Sequence, residues 1–299
     1  MSTIPAYFLL PLVAGMLYAF AALLLKRSFA LDAGIMRAAF VANWIMGIGY
    51  LPLLLVDGGQ LNWLQAAQAC LLGLTFFLGQ LFTFIAMRVG DVSVATPILG
   101  TKVLFVAVAG FFLFGQSVPA VWWLGAGITA VGILLLGISD MRDLRKQALA
   151  IAYAAISAAF FGLTDAMLPE FAGANGGARL GLISVMFVVV ALLSFSLIPF
   201  FNQPLRSIPR RAWPWLASGG ALLALQSLLM AITLSLFGNP TAVNILYSGR
   251  GLWALLLVVW IGRWLENVEG NYGRKTMILR WLGALLLILA IILVLLNPQ

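Results

Sequence analysis

Ten apolar segments of about 20 residues follow one another along the chain, separated by short polar connections. A helix needs about 20 apolar residues to cross about 30 Å of hydrocarbon. The connections hold most of the charge and many turn-forming glycines and prolines. The pattern therefore predicts transmembrane helices at residues 5–25, 35–56, 64–87, 90–114, 122–138, 148–168, 180–201, 213–236, 241–261 and 277–296.

Two of these segments carry a cation near the middle. Lys102 lies ten or more residues from either end of the fourth segment, which is too deep for easy snorkelling to the membrane surface. A charge at that depth costs about 2.5–3.5 kcal/mol on insertion scales. Arg250 follows 148 residues later in the ninth segment, and Gly238 follows Gly90 at the same spacing. The repeated spacing indicates an internal duplication, with a functional centre where the halves meet.

The charged connection at residues 140–147 divides the duplicated halves, which are predicted at residues 1–139 and 148–299. Each half holds five helices, and because five is odd the second half enters the membrane from the opposite face. Gly73 and Gly220 are matching positions in this alignment. The predicted fold is an all-α integral membrane protein of ten helices in two inverted five-helix repeats, an arrangement that places transporter substrate sites near the midplane.

Composition agrees with a membrane protein and excludes several chemistries. Hydrophobic residues make up 63% of the chain and charged residues 9%, whereas soluble domains carry about 25% charged residues. The net charge of +8 comes mostly from short connections between spans, so we expect no nucleic-acid partner. Cys70 is the only cysteine and histidine is absent. We therefore expect no metal site and no cofactor.

Several different short motifs lie between residues 18 and 125. They are Tyr18-Ala19 with Lys26, Arg37, the run Ala86 to Ala95 with Pro97, Gly115-Gln116, and the run Trp122 to Gly125. In these the chain resembles the ten-helix, EamA-type branch of the drug/metabolite transporter (DMT) superfamily over essentially its whole length. It departs at Tyr18-Ala19, where Trp-Gly is usual, and at Gln116, where Glu is usual. The resemblance implies a solute carrier whose cavity is walled by helices one to four and six to nine, with helices five and ten as a supporting pair.

Lys102 and Arg250 are the central candidates for substrate binding. In phosphate-carrying relatives, basic residues on the fourth and ninth helices grip the phosphate, and these two residues stand on the corresponding helices. Asp165 is the one acid well within an apolar segment, so two cations and one carboxylate leave a positive site that favours an anionic solute. The alternative is that Lys102, Arg250 and Asp165 form internal ion pairs in a channel-like or structural membrane protein.

Other polar residues inside the spans need partners in hydrocarbon. For each of them a hydrogen bond between helices is as good an explanation as substrate contact. The sequence is equally compatible with electroneutral exchange and with proton coupling through Asp165 or through Glu170 at the end of the sixth segment, and either carboxylate is alternatively an ion-pair partner. The further substrate-binding candidates are Asn43, Gln80, Gln226, Asn244 and Tyr247.

These features predict a secondary transporter that moves a small anionic or zwitterionic metabolite by alternating access. The solute is an amino acid, an organic acid or a phosphorylated compound, and the protein is a monomer or homodimer in the lipid bilayer. We expect no enzyme, because no nucleophile motif or histidine-containing dyad is present, and no nucleotide-binding loop.

The basic residues predict an orientation in the inner cell membrane. Connections after the odd-numbered segments take 14 Lys and Arg residues, whereas the opposite side takes Arg179 alone. Because short cytoplasmic loops are enriched in Lys and Arg, both termini are predicted to lie outside.

Overall fold

The computed structural model describes residues 6–56, 61–89, 97–137, 148–174, 177–261 and 274–297. Helices fill most of these residues, and the ninth is interrupted and treated as α9a and α9b. The helices are α1 (Ala6–Ala30), α2 (Ile35–Leu55), α3 (Trp63–Val89), α4 (Pro97–Phe114), α5 (Ala120–Gly137), α6 (Ala148–Ala172), α7 (Leu180–Phe200), α8 (Arg210–Phe237), α9a (Pro240–Tyr247), α9b (Arg250–Ile261) and α10 (Arg274–Leu296).

Several helix ends tighten into 3-10 turns, which satisfy some of the terminal backbone groups. Such turns occupy Ala6–Phe8, Leu51–Leu55, Ser194–Phe200 and Arg210–Ala212, and another lies in a connection at Leu205–Ser207. After α6 the glycine-rich connection forms a two-residue antiparallel pair, β1 (Gly173–Ala174) with β2 (Gly177–Ala178).

The predicted ten-helix fold class is confirmed, with differences in detail. Within the described residues, nine helices are long and apolar enough to cross a membrane. The ninth predicted span is not continuous, because residues 248 and 249 form a turn. The first span continues beyond Leu25 to Ala30, so Lys26 and Arg27 are helical. The predicted start of the fourth span at residues 90–96, and the connecting segment at 140–147, lie outside the described residues, so the repeat boundaries stay a prediction.

Helix packing follows the symmetry of two inverted repeats. The three most extensive pairings are α1 with α8, α3 with α6, and α5 with α10. The counterparts in the two halves are α1 and α6, α3 and α8, and α5 and α10. Exchanging counterparts turns the α1–α8 pairing into the α6–α3 pairing and leaves the α5–α10 pairing unchanged. The same exchange relates α4–α6 to α9–α1, and α3–α7 to α8–α2. The helices of each half therefore pack mainly against helices of the other half.

Small residues allow these helices to approach closely, which matters in lipid, where helix association depends on close packing. A Cβ atom added to Gly73 on α3 would lie 2.7 Å from the Met186 carbonyl oxygen on α7. A Cβ added to Gly220 on α8 would lie 2.7 Å from Ile45 Cδ1 on α2. These two positions, matched in the sequence, thus serve matching interfaces.

Hydroxyl groups hold α3 against α6. The hydroxyls of Thr83 and Ser157 lie 2.8 Å apart, and Ser157 also donates to the Gly79 carbonyl at 2.6 Å. Two turns further along, Thr164 donates to the Thr75 hydroxyl at 2.8 Å. Because Asp165 directly follows Thr164, this interface fixes the position of the buried carboxylate.

Candidate substrate-binding site

Both candidate cations stand where a membrane helix is interrupted. In α4 a turn at Thr101 separates residues 97–100 from the segment Lys102–Phe114. In α9 a turn at Ser248 and Gly249 separates α9a from α9b, which begins at Arg250. Each cation is therefore the first residue of a half-helix. Short backbone hydrogen bonds cross both turns, from the Leu104 N–H to the Thr101 carbonyl and from the Gly251 N–H to the Ser248 carbonyl.

Two glycines bring neighbouring helices onto the cation-bearing segments. A Cβ added to Gly15 on α1 would lie 3.0 Å from the Arg250 backbone nitrogen and 3.1 Å from the Tyr247 carbonyl oxygen. A Cβ added to Gly162 on α6 would lie 2.7 Å from Phe105 Cβ on α4. The backbone of α1 thus packs closely against the turn in α9, and the backbone of α6 packs closely against α4. Side chains of α1 and α6 can therefore reach the cations.

Lys102 is held in an ion pair. Its Nζ lies 2.7 Å from Asp165 Oδ2, and the two side chains are 14% and 12% exposed. A carboxylate at this distance neutralises the ammonium charge and accepts a charge-assisted hydrogen bond. Asp165 therefore has the salt-bridge role that was one of its two predicted roles.

Arg250 lies between two tyrosine rings. Its guanidinium carbon is 4.8 Å from the ring centre of Tyr18 and 4.8 Å from that of Tyr247. The two rings meet edge to face, with centroids 6.2 Å apart. Ring faces attract a cation without cancelling its formal charge, and within the described part of the chain no carboxylate lies within salt-bridge distance of Arg250.

Tyr247 connects the two cations. Its ring centre lies 5.3 Å from Lys102 Nζ, on the same ring that contacts Arg250. The Tyr247 hydroxyl donates to Gln226 Oε1 at 2.7 Å and accepts a hydrogen bond of 3.4 Å from Arg250 Nη1. Four of the predicted residues, with Asp165, therefore form one continuous cluster, which we call the central cluster: Lys102, Asp165, Gln226, Tyr247 and Arg250, joined by Tyr18.

Most of the hydrogen-bonding capacity of Arg250 is unused. A guanidinium has five N–H donors, and among the described residues only the long bond to the Tyr247 hydroxyl engages one of them. Leaving such donors without partners is costly away from water. The arrangement can accept a carboxylate or phosphate oxygen pair in the planar, two-bond geometry that arginine favours.

Three other predicted residues lie apart from the central cluster. Asn43 on α2 and Gln80 on α3 bond each other twice, at 3.0 Å for each amide-to-carbonyl contact. This reciprocal pair satisfies both amides and ties the helices together. Asn244 donates to the Pro240 carbonyl within its own helix at 3.0 Å, while its buried Oδ1 has no partner among the described residues.

Glu170 belongs to a different place in the molecule. It is exposed at the end of α6 and accepts a 2.9 Å hydrogen bond from Gln116. Both residues line a cavity of about 220 Å³, together with Asn239 and Thr241 at the start of α9a, and neither Lys102 nor Arg250 lines it. The carboxylates predicted as alternative proton sites are thus separated.

Sequence reasoning missed two parts of the site. Tyr18 was noted as a motif residue, but its ring on Arg250 depends on how α1 packs against α9. The helix breaks were also missed, although Gly100-Thr101 before Lys102 and Ser248-Gly249 before Arg250 carried a signal. Small and hydroxylated residues that weaken a helix precede both cations.

Comparison with known proteins finds a family match in the first half of the chain and a fold match over both halves. The EamA-like transporter family matches residues 5–138. A crystal structure of another protein superposes with a TM-score of 0.75 at 16% identity, covering 98% of this chain and 96% of that one. At this identity the superposition concerns the fold alone, and it extends over both halves.

Shorter sequence matches reach three curated proteins, each described as a probable 4-amino-4-deoxy-L-arabinose-phosphoundecaprenol flippase subunit ArnE. The protein of Pseudomonas savastanoi pv. phaseolicola is 33% identical over 75 residues, which are 25% of this chain and 61% of that protein. That of Hamiltonella defensa is 33% identical over 29% of this chain and 60% of its own length. That of Klebsiella pneumoniae is 34% identical over 26% and 66%. The matches thus span less than two thirds of these relatives.

Proposed function

We propose that this chain, in which residues 5–138 match the EamA-like transporter family, is a secondary transporter for a small anionic or zwitterionic metabolite, working by alternating access around the central cluster. The anionic group of the solute binds Arg250, and Lys102 completes the clamp by contacting the solute while it stays paired with Asp165. The single observation that carries this proposal is the Arg250 guanidinium, lying between two tyrosine rings with most of its donors unused.

The interrupted helices add to this support. Irregular backbone at membrane depth is tolerated only where it is buried in protein or lines a water-filled cavity. Here the breaks in α4 and α9 lie beside the two cations, at the interface of the halves. Transporters built from inverted repeats commonly bind anionic groups at such half-helix ends.

A second candidate is the movement of a lipid-linked sugar phosphate. What favours it is the sequence match to flippase subunits whose names carry a phosphoundecaprenol-linked amino sugar. A phosphodiester is also an anionic group that Arg250 can bind through two hydrogen bonds. The two candidates share the headgroup chemistry and differ in whether a lipid tail is attached.

The alternative role as a channel-like or structural protein rests on internal ion pairs. The Lys102–Asp165 contact fits that role for one cation, whereas Arg250 has no carboxylate of its own among the described residues. A buried cation without a carboxylate partner, such as Arg250 among the described residues, fits solute binding better than a purely structural role.

The test is flux in proteoliposomes that contain the purified protein. Anionic, zwitterionic and cationic metabolites are first screened by thermal shift, since a bound ligand stabilises the folded state. Stabilising compounds are then assayed for counterflow, and a fluorescent phospholipid is assayed for movement between leaflets. A carrier gives saturable exchange that Arg250→Gln abolishes, a flippase moves the lipid, a channel gives flux that rises linearly with concentration, and a scaffold gives neither. Stabilisation by cations alone would contradict the anion site.

We also propose that this multi-pass membrane protein lies in the inner cell membrane with both termini outside. Arg37 is buried and donates to the Asp32 carbonyl at 2.6 Å and to Ser207 Oγ at 2.8 Å, so its charge has a structural use. Leaving out Arg37, Lys26 and Arg179 still leaves 12 basic residues against none. Alkaline phosphatase fused after Gln299 is expected to be active in a bacterial host, whereas fluorescence of a green fluorescent protein fused there would contradict this orientation.

A further inference from the structure

The formal charges of the central cluster do not cancel. Lys102 and Arg250 each contribute one positive charge and Asp165 contributes one negative charge. Glu170 lies apart, exposed and bonded to Gln116. Asp165 is paired directly with Lys102, so the uncompensated positive charge belongs to Arg250.

We infer, on the basis of the proposed function, that Asp165 limits the substrate to a single negative charge at its binding group. The cluster then takes a carboxylate or a phosphodiester in preference to a phosphomonoester dianion or a dicarboxylate. Asp165 is thus a specificity-determining residue that acts through Lys102. The names of the flippase relatives do not state the charge of the binding group. The sequence does not separate phosphodiesters from phosphomonoesters.

The physical reason is the low dielectric of the site. One negative charge on the solute pairs with Arg250 and leaves the cluster neutral. A second charge finds the remaining cation already neutralised by a carboxylate 2.7 Å away, so it gains no net attraction and must be desolvated. Asp165 also repels it directly, because like charges interact strongly where water is scarce.

Geometry keeps Asp165 from moving away to admit a second charge. Thr164, the preceding residue, donates to both the Thr75 hydroxyl and the Phe160 carbonyl, and α6 is fixed on α3 by further hydroxyl contacts. Asp165 itself is 9% exposed. The carboxylate is therefore held in the site beside Lys102.

The experiment uses four forms of the purified full-length protein whose clusters differ in formal charge. Asp165→Asn has a charge of two, the unmodified protein and the double variant K102Q/D165N have a charge of one, and Lys102→Gln has none. The probes are dimethyl phosphate and methyl phosphate at pH 8 and constant ionic strength, where the first is a monoanion and the second largely a dianion. Acetate is added as the carboxylate counterpart of dimethyl phosphate. The readout is the concentration of each probe that gives half of its maximal thermal stabilisation.

The unmodified protein is expected to prefer dimethyl phosphate to methyl phosphate by about tenfold, and Asp165→Asn is expected to reverse that preference. The double variant K102Q/D165N, which has lost the Lys102 contact, is expected to bind both phosphates more weakly but to prefer dimethyl phosphate again, and Lys102→Gln loses response to both phosphates. A response to acetate identifies a carboxylate site, and its absence beside a dimethyl phosphate response identifies a phosphodiester site. If Asp165→Asn does not fold, Lys102→Gln and the double variant still compare charges of zero and one.

The outcomes separate this inference from the proposed function. If the unmodified protein binds the anions but the preference is unchanged between forms of different charge, the role of Asp165 is wrong and the transporter proposal stands. If no form responds to any anionic probe, the anion site itself is contradicted, and with it both proposals.

Discussion

The two halves of this protein place a cation at the same point of the fourth helix of each repeat, yet they surround it differently. Lys102 faces a carboxylate from α6, whereas Arg250 faces a tyrosine ring from α1 and another from its own helix. When residues 18–26 of the first helix are aligned with residues 161–169 of the sixth, Ala22 stands at the position of Asp165. One cation is thus neutralised inside the protein, and the other keeps its charge.

This difference indicates that the two matching cations have different roles in the protein. A symmetrical site with two unpaired cations would be costly to insert and to keep empty. Pairing one cation internally lowers that cost and leaves one binding position for an anion. The comparison can be tested by removing each part in turn.

The largest effect is expected from Arg250→Gln. Two charge-assisted hydrogen bonds contribute about 1.5–3 kcal/mol each, and each 1.4 kcal/mol corresponds to about tenfold in affinity. Initial transport rates in proteoliposomes should therefore fall by about a hundredfold or more, while the protein still folds and inserts. Arg250→Lys, which keeps the charge but loses the planar pair of donors, should give an intermediate rate. Near-normal uptake by Arg250→Gln would remove the basis of the clamp.

Lys102→Gln is expected to act on stability as well as on transport. It leaves the Asp165 carboxylate buried without its cation, which typically costs about 3–5 kcal/mol. The melting temperature in detergent should therefore fall, and the double variant K102Q/D165N should recover most of the loss. A single variant as stable as the unmodified protein would show that the ion pair contributes nothing in the membrane. Transport by Lys102→Gln should also fall by orders of magnitude, and uptake close to normal would mean that Lys102 does not take part in the clamp.

Asp165→Asn also tests proton coupling. If transport is coupled to protons through Asp165, the variant should lose the pH dependence of uptake while counterflow continues. If Asp165 serves only as the ion-pair partner of Lys102, the variant should lose stability and keep its pH profile.

A smaller effect is expected from Tyr247→Phe. The ring remains beside both cations, but Gln226 loses its donor and Arg250 loses its one hydrogen bond. Removing a partner from a buried polar group costs about 1–3 kcal/mol, so half-saturating substrate concentrations should rise by several-fold. Tyr18→Phe is the matched control, because it keeps the ring of residue 18 on Arg250 and leaves the hydrogen bonds of Tyr247 in place. It should leave transport almost unchanged. Equal losses in both variants would mean that the hydrogen bonds of the Tyr247 hydroxyl to Gln226 and Arg250 are not what matters for transport.

The smallest effect is expected from Asn43→Ala. Hydrogen bonds between membrane helices average about 0.6 kcal/mol and reach about 1.7 kcal/mol, so a slight loss of thermal stability is predicted. The substrate concentration at half-maximal transport should not change, because Asn43 is satisfied by Gln80 and lies outside the central cluster. A changed half-saturation with unchanged stability would return this pair to the list of substrate contacts.

The positions of the helices and the two central cations followed from the sequence. Long apolar segments must become helices in lipid, since every backbone group needs an internal partner there. A cation deep in such a segment must face the protein interior, which identified Lys102 and Arg250. The equivalence of Gly73 and Gly220 was also predicted from the sequence, and the two glycines lie at corresponding interfaces, α3 with α7 and α8 with α2.

The partners of those cations depended on the tertiary structure. Asp165, Tyr18 and Tyr247 come from different helices, and which of them meets Lys102 or Arg250 is set by the rotation and depth of those helices. The hydropathy pattern does not encode either quantity. It also gave Asn43 and Gln80 the same standing as Gln226, although only Gln226 joins the central cluster.

The sequence by itself thus predicted ten membrane-crossing segments in two related halves with one cation each, and nine of the described helices are long and apolar enough to cross a membrane. The tertiary structure decided that Lys102 pairs with Asp165, that Arg250 meets two tyrosine rings and no carboxylate within the part of the chain that the structure describes, and that a turn precedes each cation. The physical reason is one of range. Membrane insertion depends on the summed hydrophobicity of one segment, whereas an ion pair depends on a few ångströms between side chains that lie far apart in the chain.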